Sequence, residues 1–279
     1  MNSLVTKMSL FLLFCLLSAS VLGQTDKVKS VNRATVIGVG KSLLTDTYLS
    51  PLQYTGTNIS ILTERISDAG IINDKLLLWQ QFSLNTAFTK NPSSSSSEYY
   101  GDLSYNVAGF YPFVKANNFR FFAGAGLDAS LGGIYNVRNS NNPGSLKTSI
   151  NLDVAAMAIY NWKNFTFRWH VSSPFVGMFF SPEYGQSYYE IFSLGNGSGT
   201  IMLASFNNYL ALQNYITVDF PISNVTIRTG YLGNYYRTDV NNIYTNISSH
   251  QFVLGFAVES LNFGGKKMKN SKFIESVYY

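Results

Sequence analysis

Few residues in this sequence have the type and spacing for chemistry. His170 is one of two histidines, and it stands in the run Arg168-Trp169-His170-Val171-Ser172-Ser173-Pro174. Residues two apart on an extended chain project from the same face, so an imidazole base at 170 would stand beside a hydroxyl nucleophile at 172. Glu183 and Glu190 lie downstream and could orient the base. In that arrangement His170 would act as base toward the Ser172 hydroxyl. A competing reading makes His170 a member of a polar network with Asp128, Asp153, Arg168 and Arg228, whose opposite charges satisfy one another. A second candidate is the long connection 178–208, where Tyr184, Tyr188 and Tyr189 with Glu190 offer aromatic faces and hydroxyl handles to a ligand. That connection either folds over or dips into the mouth of a barrel, or runs past a membrane surface as aromatic girdle.

Cofactor chemistry finds no residues to serve it. The single cysteine, Cys15, lies in an apolar run near the start of the chain. A mature chain lacking that run has no disulfide, no thiolate metal site and no thiol nucleophile. Gly38-Val39-Gly40 lacks the third glycine and following helix of a dinucleotide fingerprint, and it reads as strand glycine. No cofactor and no metal are expected.

The elements that must position these residues are strands. Over residues 119–135 the odd positions are Phe119, Phe121, Ala123, Ala125, Leu127, Ala129, Leu131, Gly133 and Tyr135, while the even ones include Arg120, Asp128 and Ser130. The next segment, 146–162, repeats the alternation, with Ile150, Leu152, Val154, Tyr160 and Trp162 opposite Lys147, Ser149, Asn151 and Asp153. One apolar face with aromatics at both ends, over a length unusual in soluble sheets, is the pattern of a lipid-facing strand. Less regular alternation marks 76–88, 99–113, 165–175, 209–220, 225–235 and 251–261; residues 58–66 alternate in part and 34–41 only weakly.

The expected architecture is therefore all-β, a single antiparallel transmembrane barrel of about ten strands, within a range of about eight to twelve. Composition agrees: 21 Phe and 19 Tyr accompany only 13% charged residues, roughly half the usual share for a soluble domain. The net charge of +5 is spread without a run of Lys or Arg, so no nucleic-acid footprint is present. Lys7, the apolar stretch 8–17 and the small residues that follow read as a signal peptide over 1–23, leaving 24–279 as the barrel.

Short joins at 115–118, 163–164 and 221–224 alternate with longer connections at 89–98, 136–145, 178–208 and 238–250. Such barrels have short periplasmic turns and longer outer loops, which places both chain ends on the periplasmic side. Residues 273–279, ending in Tyr279, read either as the true last strand, with the weak first segment discarded, or as a periplasmic extension. A barrel this narrow is filled by side chains, so a plugged lumen is expected over an open pore, with a narrow solute channel as the alternative.

Two resemblances add to this reading. The His170-x-Ser172 pair with Glu190 resembles the lipid A 3-O-deacylase family, outer-membrane barrels that hydrolyse an ester of lipid A; that resemblance implies a hydrolase with His170 as base, Ser172 as nucleophile and Glu190 as orienting acid. Residues 48–56 and 181–190, together with the signal peptide, resemble an uncharacterised outer-membrane barrel family of Bacteroidetes, which implies the architecture and a Gram-negative cell envelope but no activity. On either resemblance the expected partners are outer-membrane lipid and the outer-membrane assembly machinery, with no nucleic acid. The leading expectation is a structural or surface-binding role.

Overall fold

The computed structural model describes residues 28–69, 76–222, 225–261 and 274–275. The expected signal peptide lies outside them. Ten long strands form the wall: β1 (Val28–Asp46), β2 (Ser50–Asp68), β3 (Leu77–Lys90), β4 (Ser97–Lys115), β5 (Phe119–Asn136), β6 (Gly144–Trp162), β7 (Phe165–Phe180), β9 (Tyr209–Ile222), β10 (Val225–Val240) and β11 (Ile243–Leu261). Two short strands, β8 (Ile201–Ser205) and β12 (Ile274–Glu275), are additions to it, and a five-residue helix, α1 (Tyr188–Phe192), precedes β8.

Each wall strand pairs antiparallel with its neighbours, and β1 pairs with β11 from Ser30↔Leu261 to Asp46↔Thr245, which closes the sheet on itself. The fold is a single closed antiparallel barrel, as the alternation predicts. Closure by β1 also corrects one reading of the chain's end: the tail is not the last wall strand, and its two described residues pair parallel with Val28 and Lys29.

The apolar faces point outward. Leu127, Leu131, Ile150, Leu152, Trp162, Phe252 and Phe256 are all exposed on the barrel's outer surface. Inward positions change character along the barrel. On β6 they run Lys147, Ser149, Asn151, Asp153 and then Ala155, Met157, Ile159, all buried. Where both faces of a strand are apolar, the inner one is packed against protein and not against water.

Strand lengths of 14 to 19 residues change the expected loops. At the end opposite the chain termini, the capped end, the connection read as 238–250 is a two-residue turn between Val240 and Ile243, with Asn241 and Asn242 at positive φ. The β1–β2 connection is likewise only residues 47–49. The strands project past the length a bilayer needs, so polar residues read as loop belong to the ladder.

The wall has one irregularity. β7 pairs with β9 only over residues 166–172, and from Val176 onward its partner on that side is β8. The change falls at Pro174, which has no N–H to donate, and opposite a register shift at Leu152/Asp153 of β6.

Candidate functional site

The lumen is closed at two levels with a chamber between. Near the terminal end, Glu64 of β2 receives Arg168 Nη2 of β7 at 2.7 and 2.9 Å, and Arg228 of β10 also reaches Glu64. Arg228 grips Asp219 of β9 with Nε and Nη2, each at 2.6 Å. Trp79 donates its indole N–H to Glu64 at 3.3 Å, and the Tyr215 ring lies 5.1 Å from the Arg168 guanidinium. In the ring order β2 and β7 stand five places apart of ten, so the Arg168–Glu64 pair crosses the full diameter. Two apolar clusters adjoin this network: Ile66, Phe110, Phe122, Met157 and Ile159 pack with Trp79, and Val36, Leu62, Leu232 and Val253 with Tyr215. Two acids balance two arginines here, which lets the charges remain buried.

At the capped end, Leu44, Tyr48, Leu49, Tyr54, Ile134, Ile243 and Ile247 form a second cluster, with Tyr100, Tyr188 and Tyr236 packed against it. Lys147 of β6 reaches across to Asp46 of β1 at 2.9 Å, again five places around the ring. The 178–208 connection supplies the lid. Ser187 and Glu190 form a reciprocal capping box that starts α1. The Tyr188 ring sits within about 6 Å of Tyr48, Phe180 and Phe192, and its hydroxyl accepts the Leu146 N–H at 2.6 Å. Tyr48 in turn donates its hydroxyl to the Gln186 carbonyl at 2.7 Å. The connection folds over the barrel mouth.

Electrostatics at the lid follow from these contacts. Burial, with the nearby Tyr188, Asp46 and Glu190, pushes the Tyr48 hydroxyl up to about 12. Burial also raises Tyr188. The Ser187 backbone N–H and hydroxyl hold Glu190 below the usual carboxylate value.

Between the closures lies a cavity of about 140 Å³, lined by Asp102, Asp128, Asp153, Lys147, Asn58 and Tyr209 among others. At Gly38 of β1 the space a Cβ would take holds the Ser60–Gln251 hydrogen bond, so the residue read as strand glycine serves close packing.

The residues singled out in the sequence are distributed over these levels. His170 packs against Trp79 and Phe110 with ring centroids 4.3 and 5.7 Å away, and neither ring nitrogen makes a hydrogen bond. Ser172 lines the chamber, and Glu190 is spent on the capping box at the exposed lid. The base, nucleophile and acid are not brought together. This corrects the hydrolase arrangement, for a physical reason: the cap N-terminus and the aromatic plug claim two of its three members. The inward charges are also separated. Arg168 and Arg228 pair with Glu64 and Asp219, while Asp128 and Asp153 face the chamber and Asn106. Of the loop residues, Tyr188 is built into the lid, whereas Tyr184 and Tyr189 are exposed on it.

Glu64, Trp79 and Asp219 were not singled out from the sequence. Their signal was present: Glu64 shares inward parity with Asn58 and Ser60, and Asp219 shares that of Gln213 and Thr217. Leu62 and Ile66 on the same face as Glu64 obscured it.

The closed antiparallel wall, apolar on its outer face, is the fold of outer-membrane β-barrels. The chain belongs to the family described as Protein of unknown function (DUF3316), whose sequence model matches residues 8–267. No curated protein matches the sequence. Among solved structures it is similar to the outer membrane protease OmpT from Escherichia coli, at 9% identity and a TM-score of 0.49, covering 86% of this chain and 99% of that one. It is similar too to the translocator domain of the autotransporter NalP from Neisseria meningitidis, at 7% identity, a TM-score of 0.41, and 92% and 97% coverage. The transport unit of the autotransporter AIDA-I from Escherichia coli gives 12% identity, a TM-score of 0.40, and 86% and 94% coverage.

Proposed function

We propose that this protein resides in the outer membrane as a non-conducting barrel, with its terminal end toward the periplasm and its lidded end outside, serving a surface-binding role. The observation that carries the reading is the pairing of Arg168 with Glu64 across the full lumen diameter, backed by two adjoining apolar clusters. A solute pathway needs a continuous polar bore, and this network is bonded across it. The apolar outer surface suits a lipid surround, and Tyr184 and Tyr189 on the lid are the groups a surface partner would meet. Planar-bilayer recording tests the reading. Purified protein inserted into a bilayer is expected to give no conductance steps, and regular steps from the native sequence would reject it.

A further inference from the structure

The chamber between the two closures is unbalanced in both charge and hydrogen bonding. Asp102, Asp128 and Asp153 line it, and Asp128 acts electrostatically on both of the others. The cation on its lining is Lys147, whose ammonium is already engaged by Asp46 and by the Thr245 hydroxyl at 2.9 Å each. Four buried side-chain atoms on the lining have no partner among the described residues: Asp153 Oδ1, Asn58 Oδ1, Asn85 Oδ1 and Gln213 Oε1. All four are acceptors. Asp153 and Asn58 are only 4% and 2% exposed, so their oxygens are shielded from bulk solvent.

A buried acceptor without a donor costs free energy, and a buried carboxylate without a counter-charge costs more. An occupant that relieves both must be cationic and rich in N–H donors. An anion would be repelled by three carboxylates. A neutral polyol would bring acceptors as well as donors to a lining whose open positions are acceptors alone. A dehydrated metal ion needs its ligands to converge, and no group of three Asp, Glu, His or Cys does so among the described residues. The volume is comparable to the cavity of about 150 Å³ that takes a benzene-sized molecule, which suits a small aliphatic amine.

We propose that the chamber binds a small aliphatic ammonium ion, with Asp102, Asp128 and Asp153 as counter-charges and the Asn58, Asn85 and Gln213 carbonyl oxygens as acceptors. The proposal rests on the reading of a closed, binding barrel and gives its interior a ligand class. Its counter-charges come from β4, β5 and β6, one continuous sector of the wall, and Gln213 stands two places beyond β6, on β9.

The test is thermal unfolding of the full refolded barrel in detergent at mildly alkaline pH, with 1,4-diaminobutane as the probe. The midpoint is expected to rise with diamine concentration, since a ligand bound only by the folded state stabilises it. Neither 1,4-butanediol, which has donors without charge, nor tetramethylammonium, which has charge without donors, should reproduce the rise. Asp153→Asn should weaken the apparent affinity by about tenfold, the loss of one charge-assisted hydrogen bond. Should Asp153→Asn fail to fold, Asp102→Asn supplies the same comparison. No midpoint change with the diamine, an equal change with either control, or native affinity in the folded variants would overturn the proposal. Each of those results can occur in a barrel that does not conduct, so they are separable from the conductance test above.

Discussion

Glu64 serves two arginines at once, and that makes it the residue whose loss should be felt most. Glu64→Gln leaves Arg168 and Arg228 facing one carboxylate, Asp219, in a buried site. Removal of one partner from a buried ion network is expected to cost about 3 kcal/mol, read as a lowered urea midpoint. Replacing Glu64, Arg168, Arg228 and Asp219 together by apolar residues of similar volume should recover most of that loss. His170 makes the opposite case. Its ring is packed but makes no hydrogen bond, so His170→Phe should change stability by less than about 1 kcal/mol. Ser172→Ala should leave lipid A acylation unchanged in cells carrying the protein; a changed profile would revive the hydrolase reading. The inward orientation of Arg168, His170 and Arg228 is legible from strict alternation. Their partners are not, because pairing across a lumen depends on which strands lie opposite, and that follows from strand number and closure.

At the scale of elements, β5 and β6 are readable to within a residue or two, since each has one continuous apolar face toward lipid. β1 is not. It runs from Val28 to Asp46 although only 34–41 alternate weakly, because Val36 and Leu44 occupy its inward face among glycine and serine. The apolar lumen clusters erase the contrast on which alternation depends. The helix of the lid is invisible for another reason: α1 has five residues and is held by tertiary contacts to Tyr48, Phe180 and Leu146. Its pH behaviour follows from Glu190, whose folded value lies below the unfolded one. The contribution of the capping box is therefore complete above about pH 4.5 and is lost as pH falls through the folded value. Faster amide exchange at Ser187 and Glu190 in acid, absent in Glu190→Gln, would register that loss. Tyr48 bounds the other side. Its folded value is raised, so its contribution holds below about 10 and disappears as pH rises through about 12. Tyr48→Phe, lacking the bond to Gln186, should show increased exchange in the lid at neutral pH.

Over the whole molecule, two features set its character: ten strands close into a wall, and two diametric ion pairs, Arg168–Glu64 and Lys147–Asp46, tie opposite sides of that wall together. The barrel class was legible because lipid on one side and protein on the other impose a period of two on every long strand. The division of the interior into plug, chamber and lid was not, because it arises from where each strand's inner face turns from polar to apolar, as between Asp153 and Ala155 of β6. Above all, the interior of this barrel is closed to solutes at the level of the Arg168–Glu64 pair. Single-channel recording of the native protein and of the quadruple variant Glu64→Ala, Arg168→Ala, Asp219→Ala, Arg228→Ala tests it most directly. The native barrel should be silent, and the variant should conduct only once the lid over residues 181–200 is also removed; stable conductance by the native barrel would contradict this picture.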